Sequence, residues 1–303
     1  MRKVEADPQR ARTAQERPAV VVRLLGGLGN QMFQYAAARA VAHHSGAQVL
    51  LDLRAFESYN LRKPELHRWR IEASEASNRD LRPYPAGALR LSGRFRRLGA
   101  LTRCYFEPSL AFHGVLFSRK APLHLNGYFQ SEKYFSQIRP LLLKEFMPAR
   151  PMSVENRRIS EEAAATNSVS MHMRRGDYLS DARNLAVHGA CDAGYYKRAI
   201  DTLLSTTGNA TYFLFSDDMD WVRRNITVPG RAIYVEGNQA DPEMDIHLMS
   251  VCRHNICANS SFSWWGAWLN SNENKTVIAP VRWFATDRHD AADLVPPQWI
   301  RLG

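Results

Sequence analysis

The stretch "AVVVRLLGGLGNQMFQYAAARAVAHHSGAQVLLD", residues 19–52, decides the fold. Its apolar, β-branched start at residues 19–25 predicts a buried strand, and residues 30–46 show the pattern of a helix that ends at Gly46. Residues 47–52 predict a second strand. A strand, a helix and a strand in this order form a β-α-β unit, which implies a parallel sheet.

The second half of the chain repeats this alternation. Strands are predicted at residues 168–174, 211–216, 231–236, 255–260 and 275–280. Helices are predicted at residues 131–147, 153–166, 193–204, 217–224, 241–252 and 261–270. Such alternation is typical of a doubly wound α/β fold, so we expect two Rossmann-like domains that face each other across a cleft.

Pro148 and Pro151 indicate a boundary between a domain of residues 18–150 and one of residues 151–303. Residues 1–17 are charged and have no apolar segment, which predicts a disordered arm rather than a secretory signal. The four cysteines form no CxxC pair, and no apolar run approaches the about 20 residues that span a bilayer. These features predict a cytoplasmic protein without a disulfide framework or a zinc site.

Basic residues are concentrated in the first half of the chain. Residues 1–150 hold 25 Lys and Arg against 12 Asp and Glu, whereas residues 151–303 hold 15 against 18. The densest basic stretch is Arg79–Arg103. It is either a solvated face or a surface for an anionic partner. Because the chain has no nucleic-acid-binding motif, a membrane surface or a lipid-linked substrate is the favoured partner and nucleic acid is not expected.

The glycine-rich stretch at residues 26–29 follows a predicted strand and opens a helix. Backbone N–H groups at such a turn bind anions, and glycines such as Gly29 let a phosphate come close. The stretch is not a dinucleotide fingerprint, because Met32 stands where that motif needs glycine. Asn30 is either a ligand contact or only the N-cap of the helix.

The stretch "MHMRRGDY", residues 171–178, lies at the carboxyl end of a predicted strand, where open α/β sheets bind ligands. His172 and Arg174 share one face of that strand, and the planar fork of an arginine suits a phosphate. The alternative is a salt bridge between an arginine and Asp177 that only ties the loop.

The adjacent carboxylates Asp217 and Asp218 suggest a metal site. Ser216 before them reads as the N-cap of a helix, and acidic residues in a first turn stabilise the helix dipole. The capping interpretation is favoured, so no metal is expected.

The stretch "ANSSFSWWGAWLN", residues 258–270, places hydroxyl and N–H groups at the start of a helix, which is a ready phosphate site. The polar residues are Asn259, Ser260, Ser261 and Ser263. Trp264 and Trp268 share a face of the helix and Trp265 points elsewhere, so most of the indole surface is expected to pack in the core.

Together these motifs resemble those of the α-1,2-fucosyltransferases of glycosyltransferase family 11. The stretches "GGLGNQMFQYA", "HMRRGDY", "FSDD" and "DIHLMSVCRHNICANSSFSWWGAWLN" stand in that family's order. The resemblance implies a GT-B fold whose second domain holds most of the donor GDP-β-L-fucose. It also implies inverting transfer to a galactose 2-hydroxyl, with no metal ion and no further cofactor.

The resemblance also implies roles for single residues. His172 would lie near the guanine or ribose, Arg174 on the β-phosphate, and Asn30 opposite the sugar or diphosphate. Asp245 would help to hold the nucleoside. The diphosphate would be bound by the segment Ser260, Ser261, Phe262 and Ser263. One departure is Gly27, where protein O-fucosyltransferases carry an arginine, so that contact is absent.

In such a transfer negative charge builds on the leaving β-phosphate, and Arg174 and the helix start at Ser261 would stabilise it. Asp177 and Asp181 are the candidate bases for the acceptor proton, although Asp177 could instead orient Arg174. The expected acceptor is a galactose-terminated oligosaccharide or a lipid-linked glycan at the inner membrane. Two alternatives stay open: another nucleotide-sugar glycosyltransferase, or a non-catalytic basic protein that binds a surface.

Overall fold

The computed structural model describes residues 18–58, 61–84, 103–176, 187, 189–286 and 291–303, so the predicted arm lies outside it. The strands are β1 (Ala19–Arg23), β2 (Gln48–Asp52), β3 (Ala73–Glu75), β4 (Cys104–Phe106), β5 (Leu123–Asn126), β6 (Ser168–Met173), β7 (Thr211–Ser216), β8 (Ala232–Val235), β9 (His254–Ile256), β10 (Val277–Pro280) and β11 (Ile300–Leu302). The α-helices are α1 (Leu28–Ser45), α2 (Asn78–Leu81), α3 (Arg139–Glu145), α4 (Val154–Ala165), α5 (Ala193–Thr207), α6 (Met219–Asn225), α7 (Pro242–Val251) and α8 (Ser261–Leu269). Within the described residues, no helix combines the length and apolarity that a bilayer crossing requires.

The first sheet has the strand order β3-β2-β1-β5-β4, and its pairings are parallel. The predicted β-α-β unit is confirmed, because β1 and β2 pair in parallel with Ala19 opposite Gln48. Helix α1 connects them and ends at Gly46, whose φ of 64° is the left-handed conformation that glycine adopts readily. The carboxyl ends of these strands therefore share one edge of the sheet.

The second sheet has the strand order β11-β10-β9-β6-β7-β8 and is also parallel. Strand β6 lies in its middle and pairs with β7 on one side and β9 on the other. All six of its residues are buried, as expected for a central strand of a parallel sheet. Two parallel sheets with helical connections confirm the predicted α/β class.

The predicted helix at residues 131–147 is wrong over its first half. Short 3-10 helices occupy Glu132–Tyr134 and Ser136–Ile138, and the α-helix begins only at Arg139. Pro140 explains the start, because proline fits the first turn of a helix but breaks its interior. The short strands β3, β4, β5 and β11 were not predicted.

The three tryptophans of α8 are buried in the core that the two sheets share. Trp264 and Trp268 stack with 6.0 Å between ring centroids, which confirms that they share a face. Phe33 of α1 meets Trp264 at 4.4 Å and Trp265 at 4.9 Å. These rings fix α8 against α1, so the tryptophans anchor the helix whose first turn lies at the site.

Candidate active site

The turn between β1 and α1 depends on Gly26. Its φ is +79°, and a Cβ there would lie 2.6 Å from Asn30 Nδ2. Helix α1 begins at Leu28 with Gly27 as its N-cap, so the N-cap interpretation of Asn30 is wrong. Asn30 instead lies within the first turn of the helix.

Two buried glutamines of α1 hold this turn in place. Gln31 Nε2 donates to the carbonyls of Gly26 at 2.9 Å and Lys63 at 2.8 Å. Gln34 Oε1 accepts from the N–H of Leu25 at 3.0 Å. Because buried polar groups are costly unless paired, these bonds give the turn one defined shape.

Asn30 is oriented by a residue of the same sheet edge. Gln130, which follows β5, donates from Nε2 to Asn30 Oδ1 at 2.8 Å. The carbonyl oxygen of Asn30 is thus engaged, which leaves its amide hydrogens as the groups to offer a ligand. N–H donors suit a phosphate or hydroxyl oxygen.

The first turns of α1 and α8 are in contact. A Cβ on Gly29 would lie 2.7 Å from the carbonyl carbon and the Oγ of Ser261, so only glycine permits this approach. The glycine motif that follows β1 and the serine motif that follows β9 therefore belong to one site. It lies where the carboxyl edges of the two sheets meet.

The start of α8 is shaped by its own side chains. Ser260 is the N-cap and accepts from the N–H of Phe262 at 3.3 Å. The Ser263 hydroxyl is buried and lies 3.4 Å from the Ala258 carbonyl and 3.3 Å from the Ser260 carbonyl. The half-buried Ser261 is the one of these hydroxyl residues that lies against the first turn of α1.

Asn259 ties the loop before α8 to its surroundings. Its Nδ2 lies 3.4 Å from the carbonyl of Gly189 and 3.3 Å from that of Trp283. The residue is buried, and these contacts hold the loop at the start of α8.

The opposite end of α8 is capped by two cations. Arg139 donates to the carbonyls of Trp268 and Asn270, and Lys275 donates to those of Ala267 and Asn270. Burial lowers the pKa of Lys275 to about 8. Positive charge at a helix carboxyl end stabilises its dipole, which leaves the positive end of α8 at the site.

Arg174 follows β6 and pairs with a carboxylate. Its Nη1 lies 2.9 Å from Oδ2 of Asp217, at the end of the neighbouring strand β7. Burial raises the pKa of Asp217, but the charge of Arg174 and the N–H groups of Arg175 and Gly176 outweigh it and hold that pKa below its usual value. Asp217 therefore stays charged at neutral pH and fixes the guanidinium.

The next arginine, Arg175, also contacts a carboxylate, and its contacts hold the start of α6. Arg175 Nε lies 3.4 Å from Asp218 Oδ2, and its guanidinium lies 3.8 Å from the centre of the Trp221 ring. Asp218, not Ser216, is the N-cap of α6, because its Oδ1 accepts from the Trp221 N–H at 3.1 Å. The prediction of Ser216 as the N-cap is therefore wrong by two residues.

His172 lies on β6 beside the start of α8. Its ring centroid is 5.4 Å from that of Phe262. Burial lowers the pKa of His172 to about 4, with Asp217 opposing and Arg174 adding to the shift, so the imidazole is neutral at neutral pH. Its buried Nδ1 has no hydrogen-bond partner in the described chain, which suits a site that a polar ligand completes.

Asp245 lies in the first turn of α7. Its Oδ1 accepts from Asn238 Nδ2 at 2.7 Å, and Asn238 in turn bonds Asn156. Burial raises the pKa of Asp245 to about 6, against the lowering effect of that hydrogen bond. The adjacent Glu243 pairs at 3.1 Å with Arg68 from the first half of the chain.

The predicted bases Asp177 and Asp181 lie outside the described residues. Sequence reasoning missed Gln130, and it missed that Asp217 is the partner of Arg174. Among the described residues, no cluster of three His, Cys, Asp or Glu side chains could hold a metal ion.

Two parallel Rossmann-like sheets, joined where the first turns of α1 and α8 approach each other, have the architecture of GT-B glycosyltransferases. The profile described as glycosyl transferase family 11 matches residues 105–303. The chain therefore belongs to glycosyl transferase family 11.

Known relatives extend over most of the chain. An alpha-1,2-colitosyltransferase of Escherichia coli is 34% identical over 289 residues, which cover 93% of this chain and 98% of that enzyme. Galactoside alpha-(1,2)-fucosyltransferase 2 of Rattus norvegicus is 23% identical over 296 residues, covering 93% of this chain and 76% of that protein. A mutant of Arabidopsis thaliana FUT1 in complex with GDP shares the fold, with a TM-score of 0.51 at 10% identity over 90% of this chain and 72% of that one.

Proposed function

We propose that the protein transfers L-fucose from GDP-β-L-fucose to the 2-hydroxyl of a galactose residue, with inversion and without a metal ion. One observation carries the proposal: Arg174, held by Asp217, follows β6, and His172 of the same strand packs against Phe262 in the first turn of α8. A fixed cation and the N–H groups of a helix start together suit a diphosphate.

The chemistry follows from this placement. As the acceptor oxygen attacks the anomeric carbon, the bond to the β-phosphate breaks and negative charge develops on the phosphate oxygen. Arg174 and the N–H groups at Ser261 would meet that charge without reorganising, because Asp217 and the core already hold them. Asn30 would donate its amide hydrogens to the sugar or diphosphate from the other sheet.

A metal-free mechanism is supported by what the carboxylates already do. Asp217 pairs with Arg174, and Asp218 caps α6 and contacts Arg175. The positive charge that a metal would supply to a leaving diphosphate is thus offered by a guanidinium and a helix dipole.

The two halves of the chain would then divide the work. Residues 151–303 form the donor side, where His172 and Asp245 hold the nucleoside, and residues 18–150 form the acceptor side. The acceptor would be a galactose-terminated oligosaccharide or a lipid-linked glycan at the cytoplasmic face of the inner membrane.

A second candidate donor is a colitosyl nucleotide, since a relative with 34% identity is named a colitosyltransferase. Colitose is fucose without its 3-hydroxyl, so the leaving diphosphate and the inverting chemistry would be the same.

The test measures GDP release from GDP-fucose and from GDP-colitose with lactose as acceptor, followed by NMR of the product linkage. The expected result is release from GDP-fucose and an α-1,2 product. Release from GDP-colitose alone would change the donor, a β linkage would exclude inversion, and no release from any nucleotide sugar would favour a non-catalytic surface-binding protein.

A further inference from the structure

Glu107 lies at the carboxyl end of β4 in the first sheet, on the side of the sheet where the glycine turn follows β1. It is the residue after β4, and β4, β5 and β1 are neighbouring parallel strands. Its carboxylate accepts from the backbone N–H of Tyr128 at 2.7 Å and of Phe129 at 3.0 Å. The Glu107 side chain is thus hydrogen-bonded to the turn that follows β5.

This turn connects Glu107 to Asn30. Gln130, one residue beyond the N–H that Glu107 binds, holds the Asn30 amide at 2.8 Å. Adjacent strands are about 4.8 Å apart, so Glu107 lies about 10 Å along the edge from the glycine turn. An acceptor sugar bound between the glycine turn and the carboxylate would occupy this interval. Tyr128 beside it is 38% exposed and adds an aromatic surface of the kind that sugars pack against.

The surroundings keep Glu107 ready to exchange a proton. Burial raises the pKa of Glu107 to about 7, against the two backbone N–H groups that lower it. In the described chain no cation forms an ion pair with Glu107. Its negative charge raises the pKa values of the nearby phenols Tyr105 and Tyr134. The pKa values of both phenols are raised, so both are neutral near pH 7. The charge of Arg119 lowers the pKa of Tyr105, but burial outweighs it. A base works best when its pKa lies near the working pH.

We propose that Glu107 is the catalytic base of the transfer, an inference that rests on the proposed function. The acceptor hydroxyl oxygen forms its bond to the anomeric carbon while its proton passes to the Glu107 carboxylate. The bond from the anomeric carbon to the β-phosphate oxygen breaks, and its electron pair leaves with GDP. Asn30 and Gln130, which are hydrogen-bonded to each other at the same end of this sheet as Glu107, would align the sugars.

The first test substitutes Glu107→Gln, which keeps the size of the side chain and one oxygen for the backbone N–H groups. We expect kcat to fall by about 100-fold or more, with the Kd for GDP-fucose and the melting temperature unchanged. The wild-type rate should rise with pH through about 7, because the base must be deprotonated, and the variant should lose this rise. Glu75→Gln, at the exposed end of β3 on the same sheet, is the matched control and should keep wild-type activity.

The second test uses azide, an anionic nucleophile that has no proton to lose. In Glu107→Ala, azide should raise GDP release at least tenfold and yield a fucosyl azide, whereas a collapsed site would not respond. Full activity in Glu107→Gln would overturn the proposal. It would also be overturned if Asp177→Asn or Asp181→Asn, instead of the Glu107 variants, lost the rise of rate with pH and regained GDP release with azide. Failure of the wild-type protein to use GDP-fucose would contradict the proposed donor, and Glu107 is then judged by the same tests with GDP-colitose.

Discussion

The indole N–H of Trp265 donates to the carbonyl of Gly29 across 2.9 Å and so joins α8 to the first turn of α1. The same glycine touches Ser261, so the starts of both helices are held against each other. Each start carries partial positive charge, and two such ends in contact repel. A bound diphosphate would relieve that repulsion, which makes this contact a place where an anion gains affinity from both halves of the chain.

Gly29→Ala should destabilise the protein and weaken GDP binding. Its Cβ would lie 2.7 Å from the Ser261 backbone, and overpacking of this kind costs about 1–3 kcal/mol. Alanine recovers about 1 kcal/mol of helix propensity, so a net loss of up to about 2 kcal/mol in unfolding free energy is expected by urea titration. Gly114→Ala is the control, because its Cβ would first meet Phe112 at 3.4 Å, an ordinary contact. Equal stability of the two variants would contradict the close approach.

Arg174→Lys should lose most activity while the fold persists. Lysine keeps the charge but not the planar fork, and it cannot both pair with Asp217 and reach a phosphate in the same geometry. A loss of about 100- to 1000-fold in kcat is expected, with an unchanged circular dichroism spectrum. Arg175→Lys, whose arginine contacts Asp218 and Trp221, is the matched control and should lose far less. Near-normal turnover of the Arg174 variant would remove it from the leaving phosphate.

Long periodic elements of the fold were predictable from sequence. Residues 211–216 form β7 as predicted, because a short run rich in aromatic and apolar residues favours a buried strand over a helix. Strand β4 and strand β3 have three residues each, too few for periodicity to show. They belong to a sheet only because β2 and β5 lie beside them.

Site residues were predictable from sequence where a single stretch contains both the polar side chains and the strand end that positions them. His172 and Arg174 follow from the end of a buried strand. Gln130 lies 100 residues from Asn30 along the chain, and nothing local marks that contact. The sequence could not decide between Ser216 and Asp218 as the cap of α6, since both are good capping residues.

Removal of divalent ions should leave the transfer rate unchanged. The physical reason is that in the proposed mechanism Arg174 would supply the charge at the diphosphate, and Asp217 is already paired with Arg174. The measurement compares initial rates of GDP release with and without excess EDTA, and with magnesium restored. Abolished transfer that magnesium recovers would contradict the metal-free mechanism.

The basic stretch should bind anionic membranes if it is more than a solvated face. Arg79, Arg82 and Arg103 are exposed, and the rest of Arg79–Arg103 between residues 85 and 102 lies outside the described residues. Each basic residue near an anionic surface contributes about 1 kcal/mol, screened within about 8 Å at physiological salt. Cosedimentation should show binding to anionic vesicles at low salt, loss at high salt, and none to neutral vesicles. Binding that ignores lipid charge and salt, or no binding at all, would leave the arginines as a solvated face.

Asp245 should make nucleoside binding depend on pH, if it holds the guanosine as proposed. Burial raises the pKa of this carboxyl from 3.8 to about 6, so the empty protein increasingly holds it neutral below that pH. The charged carboxylate accepts guanine N–H groups more strongly than the neutral acid does. The affinity for GDP should therefore level off above pH 6 and fall below it, by up to about tenfold per pH unit. Calorimetric titration of GDP across this range measures the slope in the wild type and in Asp245→Asn, where the slope should vanish. Asp218→Asn, whose side chain still caps α6, should keep the wild-type slope. A wild-type affinity that stays constant through pH 6 would place Asp245 outside the nucleoside site and leave its bond to Asn238 as a purely structural one.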